Sequence, residues 1–178
     1  MTHELEVWTI GHSTRPLEEF LALLREHRIE ALADVRSFPG SRRHPQYGGD
    51  ALRESLGQNG IVYRWLPALG GHRKPVADSP NMAWRNAGFR GYADYMQTEA
   101  FAAGLDELLG LAQPLRTTLM CAEAVWWRCH RALISDALLA RDVAVEHILD
   151  DGPTTTHPGT PPARIVDGRL TYAPAGRA

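Results

Sequence analysis

Apolar residues follow two rhythms along this chain. Short unbroken runs, Val7-Trp8-Thr9-Ile10, Ala31 to Arg36 and Ile61 to Leu66, read as buried strands, with Leu115 to Cys121 and Val143 to Leu149 as two more. Between them the apolar spacing lengthens to that of a helix. Leu17, Phe20, Leu21 and Leu24 follow Pro16, which suits a first helical turn, and Glu18 and Glu19 suit its positive end. Further helices are expected at Ala51 to Gln58, Phe89 to Met96, Ala100 to Ala112 and Trp127 to Arg141. The Pro, Gly and Arg-rich stretches 37–50 and 67–88 read as loops, and a structureless stretch as long as the second is usually functional or disordered.

Strands alternating with helices imply a parallel sheet with right-handed crossovers. The predicted fold class is α/β: three layers, a mostly parallel five-stranded sheet with flanking helices, and a single domain. Residues 1–150 would form that domain, with an anion-binding crevice. Residues 151–178 would form a Pro/Thr-rich C-terminal tail, with a candidate hairpin at Arg164 to Tyr172 around Asp167-Gly168. Ligands of open parallel sheets bind beyond the carboxyl ends of the strands. Those ends are Gly11-His12-Ser13, Asp34-Val35-Arg36, Leu66-Pro67 and Cys121-Ala122-Glu123, and three of the four carry reactive or charged side chains.

Composition narrows the class without naming a partner. Of the 178 residues, 44% are hydrophobic and 22% charged, which excludes a disordered or collagenous chain. No apolar run approaches the ~20 residues of a membrane helix. The opening MTHELEVWTIGHS has no basic segment before its apolar stretch, so no signal peptide is expected. Two cysteines are too few for a disulfide scaffold, and a cytoplasmic protein with reduced thiols is expected. The net charge is −2, yet Arg36 to Arg90 holds nine basic residues against three acids, a local +6 that leaves −8 for the rest. That distribution suggests one local anion site, and arginine makes bidentate forks to phosphate and carboxylate.

The densest chemistry lies in Cys121-Ala-Glu123-Ala-Val-Trp-Trp-Arg128-Cys129-His130-Arg131, running from a strand end into a helix start, where unpaired N–H groups bind anions and lower thiol pKa values. On the expected helix, His130 would point inward toward the sheet, with Arg128, Arg131 and Ser135 on an adjoining stripe. Each residue also has a plain structural reading: packing for Cys121, Cys129 and His130, a solvated face for the arginines, capping for Ser13. The Walker phosphate loop, the dinucleotide glycine fingerprint, the Gly-x-Ser-x-Gly elbow and the zinc-deaminase signature are all missing. The middle segment interleaves its arginines with aromatics such as Phe38, Tyr63 and Trp65, types that serve base stacking and phosphate pairing.

Thr9-Ile10-Gly11-His12-Ser13, Asp34-Val35-Arg36, Ser41-Arg42-Arg43, Leu69-Gly70-Gly71, Phe89-Arg90-Gly91-Tyr92-Ala93 and Cys121-Ala-Glu123…Cys129-His130-Arg131 together resemble the domain of unknown function 488 family, from about Val7 to His147. The resemblance implies a cytosolic α/β domain and supports these site positions, and it adds no reaction. A strand ending Asp-Val-Arg followed by a strand ending in Cys also resembles rhodanese and phosphatase-like domains. Here six residues separate Cys121 from Arg128 where the phosphatase loop has five, and Met120 stands where those domains place His.

The leading expectation is an enzyme acting on a phosphate-bearing substrate, a phosphorylated small molecule, nucleotide or nucleic-acid end. His12, Glu123, Cys121 and His130 would be catalytic. Ser13, Asp34, Arg36, Arg42, Arg90, Tyr92, Cys129 and Arg131 would bind the substrate. No metal ligand set is assigned and no cofactor is named. The alternatives are a binding module without turnover, cysteine-dependent anion chemistry, and a metal or redox sensor built on Cys121, Cys129 and His130.

Overall fold

The computed structural model describes residues 5–150 and 152–176; Met1–Glu4, Asp151, Arg177 and Ala178 lie outside the described residues. Strands β1 (Glu6–Gly11), β2 (Ala31–Asp34), β3 (Val62–Trp65), β4 (Thr117–Cys121) and β5 (Ala144–Ile148) pair in parallel, in the spatial order β3-β2-β4-β1-β5. Helices α1 (Leu17–Glu26) and α2 (Gly49–Gln58) cover one face. Helices α3 (Ala87–Tyr95), α4 (Glu99–Ala112) and α5 (Arg131–Leu139) cover the other. Alternation along β1 sends Val7 into one core and Trp8 into the other, as a strand buried on both faces requires. Among the described residues, no helix is long and apolar enough to cross a membrane.

The expected five-stranded sheet gains a sixth strand. Thr155–Thr156 of the tail forms β6 and pairs antiparallel with the outer edge of β5. The expected hairpin is present as β7 (Arg164–Val166) and β8 (Arg169–Thr171), turning through Asp167 and Gly168 at positive φ. The tail also packs inward. Buried Asp136 of α5 accepts from Thr160 Oγ1 at 2.6 Å and Tyr172 OH at 2.7 Å, and it pairs with His157 at 2.8 Å.

One helix boundary needs correction. A helix was expected from Trp127, but α5 begins at Arg131, and Trp126–Arg128 is only a 3-10 turn. The reason is local. The Arg131 guanidinium reaches back to the carbonyls of Glu123 and Ala124, which fixes this stretch as a loop in front of the helix. Arg128 therefore lies off the helical stripe assigned to it.

Candidate functional site

Three adjacent strands, β2, β4 and β1, end side by side, and the chain beyond each turns into one hollow. At its floor, the Asp34 carboxylate accepts from Arg36 Nε at 2.9 Å and Nη2 at 2.7 Å, from the Arg36 amide at 3.1 Å and from Tyr63 OH at 2.6 Å. Asp34 is fully buried and Arg36 is 7% exposed, so this ion pair is largely desolvated. Burial alone would lower the guanidinium pKa, but the Asp34 carboxylate outweighs it and holds Arg36 cationic. Trp65 Nε1 donates to the Arg36 carbonyl at 2.9 Å and pins the main chain.

His12 lies beside this cation, stacked on Tyr47 with ring centroids 4.3 Å apart. Burial pushes its pKa down to about 4, and the Arg36 charge acts in the same direction. The neutral ring donates from Nδ1 to the Ser13 carbonyl at 2.9 Å, leaving Nε2 as an acceptor 3.4 Å from Arg36 Nη1. Ser13 adopts φ 49, an uncommon left-handed conformation for a non-glycine residue. Because the unfolded chain protonates His12 near its ordinary value of 6.5 while the folded chain resists until about 4, stability should fall as pH drops through that window. Burial also holds His147 neutral, to about 2, and adds a slope of the same sign. Replacing His12 by Gln should flatten part of the stability loss between pH 6.5 and 4 in denaturant titrations; an unchanged slope would contradict this account.

The third strand end carries the two cysteines. Cys121 Sγ and Cys129 Sγ are unbonded and 2.9 Å apart. Burial and the neighbouring Cys129 push the Cys121 thiol well up. Burial also works against a Cys129 thiolate, but the Cys121 thiol, His130 and the Arg131 cation outweigh it and bring Cys129 well down. The Arg131 amide donates to Cys129 Sγ at 3.2 Å. His130 donates from Nε2 to the Val35 carbonyl at 2.7 Å and packs against Tyr92, so it bridges this turn to the β2 end. Gly71 gives His130 its space: a Cβ there would come within 2.7 Å of the ring.

The hollow has a volume of about 910 Å³. Its wall carries Arg36, Arg42, Arg43 and Arg128 against a single acid, Glu123, whose carboxylate has no hydrogen-bond partner among the described residues. Of the residues singled out in the sequence, His12, Ser13, Arg36, Arg42, Tyr92, Cys121, Glu123, Cys129 and His130 reach this wall. Tyr92 does so only as fully buried support, with its hydroxyl donated to the Leu69 carbonyl at 2.9 Å.

Asp34, Arg90 and Arg131 are not on the wall. Asp34 acts one layer below, through Arg36. Arg90 binds the carbonyls of Trp84 and Arg85 and so braces the long loop. Arg131 is fully buried and holds Thr9 and the 123–124 carbonyls. Sequence reasoning quoted Arg43 within a motif but gave it no role, and it passed over His44, although the Ser-Arg-Arg-His run signalled both. It also missed the buried chain His147–His157–Asp136, whose Nε2 to Nδ1 step is 2.9 Å and which Trp126 covers by stacking on His147. Its members come from β5, α5 and the tail, so no motif could reveal it. Among the described residues, no three His, Cys, Asp or Glu side chains gather as a metal cage.

A family model described as Domain of unknown function DUF488 matches residues 16–138, more than half of the chain. The chain belongs to that family. The matched stretch is shorter than the Val7 to His147 resemblance and begins after Gly11-His12-Ser13. No curated protein and no solved structure matches.

Proposed function

We propose that this member of the family is a cytosolic enzyme acting on a phosphate-bearing substrate, a nucleotide or a nucleic-acid end. One observation carries the reading. A guanidinium has five N–H groups. Asp34 takes two from Arg36 and His12 accepts one, so one remains on each Nη at the edge of an arginine-rich hollow. N–H groups held on a fixed plane match the oxygens of a phosphate. The clamp on Asp34 sets this fork before the substrate arrives, so little ordering entropy is lost on binding.

Arg42, Arg43 and Arg128 would neutralise the remaining charge. Phe38, exposed at the rim beside His72, offers a flat surface for a base. Glu123 is the candidate proton acceptor, because it is the one acid lining the hollow and its carboxylate has no hydrogen-bond partner among the described residues. Neutral His12, whose Nε2 accepts from Arg36 Nη1, would hold the guanidinium in place beside the bound anion. A second reading, covalent catalysis by cysteine, is favoured by Cys129 rather than Cys121, since Cys129 holds the lowered pKa on the wall.

The test combines binding and turnover with inorganic phosphate, AMP, ATP and a 5′-phosphorylated oligonucleotide. At least one nucleotide should raise the melting temperature and be turned over. Glu123→Gln should then keep the affinity and lose about 10²–10⁴-fold in rate. A Glu123→Gln change confined to affinity would mean a binding module. Loss of turnover in Cys129→Ser with a covalent adduct in the parent would favour the cysteine reading. No thermal response to any phosphate-bearing probe would overturn the proposal.

A further inference from the structure

The two cysteines invite a separate assignment that stands whether or not the hollow turns over a phosphate compound. We infer that Cys129 and Cys121 form a reversible oxidation site, in which Cys129 reacts with a hydroperoxide and Cys121 closes the resulting intermediate to an intramolecular disulfide.

Geometry carries this. The sulfurs lie 2.9 Å apart, so about 0.9 Å of approach brings them to the ~2.05 Å of a disulfide. Cys121 is fixed at the end of β4. Cys129 sits at the junction of the Trp126–Arg128 turn and α5, where it can shift without disturbing the sheet. Both cysteines line the hollow, but Cys129 is half-buried and open to a small oxidant, whereas Cys121 is only 3% exposed.

A second observation concerns charge. Arg131 is fully buried, no carboxylate lies within ion-pair distance among the described residues, and its Nε has no partner. A buried cation without a countercharge is expensive, and an anionic Cys129 sulfur, which already receives the Arg131 amide and feels the Arg131 charge, would offset part of that cost. The pKa directions of the two thiols agree with this division of labour.

The chemistry balances in two steps. The Cys129 thiolate attacks one peroxide oxygen, an S–O bond forms, the O–O bond breaks, and hydroxide (or alkoxide) leaves and takes a proton. Sulfur is oxidised by two electrons and the peroxide is reduced. Cys121 sulfur then attacks the sulfenic sulfur, an S–S bond forms, the S–O bond breaks, and water leaves carrying the Cys121 proton. A thiol reductant reverses the result.

Trypsin cuts after Arg116, Arg128 and Arg131, so the cysteines fall on different peptides, 117–128 and 129–131. The whole chain treated with hydrogen peroxide and digested without reductant should yield these two peptides linked, and dithiothreitol should release them. Cys121→Ala should instead accumulate a dimedone adduct on Cys129. Should that variant fail to fold, competitive alkylation of the unaltered chain at pH 7 should label Cys129 more than about tenfold ahead of Cys121. The assignment is overturned if the linked peptide is missing after enough peroxide to oxidise glutathione. It is equally overturned if the bridge joins two molecules, if dimedone marks Cys121 first, or if both thiols alkylate at the same rate.

Discussion

Replacing Gly11 by alanine should cost at least about 3 kcal/mol of stability, more than a single methyl usually does. An added Cβ would stand 1.7 Å from the Glu123 carbonyl oxygen and 2.9 Å from the Ala124 Cα, so the collision is with backbone. That backbone has no room to retreat. His12 N–H and Ser13 N–H donate to the carbonyls of Cys121 and Ala122, and Arg131 Nη2 holds the Glu123 carbonyl at 2.7 Å. The same crossing joins the β1 and β4 ends, so Gly11→Ala should loosen His12, Glu123 and both cysteines together. Gly57→Ala and Gly110→Ala serve as controls. Each sits in an exposed helical position where a Cβ meets nothing within 4 Å, and each should gain about 0.5–1 kcal/mol from reduced chain entropy. Urea midpoints with unchanged slopes give the comparison. A Gly11→Ala midpoint equal to that of the parent would show that the turn is not held as described.

The strand runs, their parallel pairing and the three strand ends that converge were legible because period and chain direction are local properties. His12, Ser13, Arg36 and Cys121 were placed on one rim from that logic, and all four line the hollow. What failed was depth. Arg36 and Arg131 look alike in sequence, each a basic residue at a strand or helix end. Asp34, two positions before Arg36, turns one into a presented fork. The other is swallowed by the loop carbonyls of Glu123 and Ala124, because the helix starts four residues later than the expected Trp127. Arg90 was misjudged for a similar reason: its partners are main-chain carbonyls, which no side-chain pattern encodes. The two cysteines were found but their different settings were not. Cys121 ends the buried strand and Cys129 receives an amide from the helix start, a distinction that needs the third dimension.

Asp34→Asn should destabilise the chain by about 3–5 kcal/mol, since it leaves the buried Arg36 charge without its partner. Tyr63 OH and the Arg36 amide lose an anionic acceptor at the same time. That cost alone does not mean the pair exists for stability. Two ions taken out of water repay little of their desolvation, and apolar replacements of similar size are often neutral or better. Asp34→Leu with Arg36→Met, together with Tyr63→Phe to remove the orphaned hydroxyl, should therefore recover most of what Asp34→Asn loses. It should also abolish the thermal shift produced by a phosphate-bearing probe, because the two free N–H groups are gone. Recovery of stability with loss of binding is the signature of an ion pair kept for the ligand. A triple variant as unstable as Asp34→Asn would make the pair a structural element. One that still binds the probe like the parent would move the anion site away from Arg36 altogether.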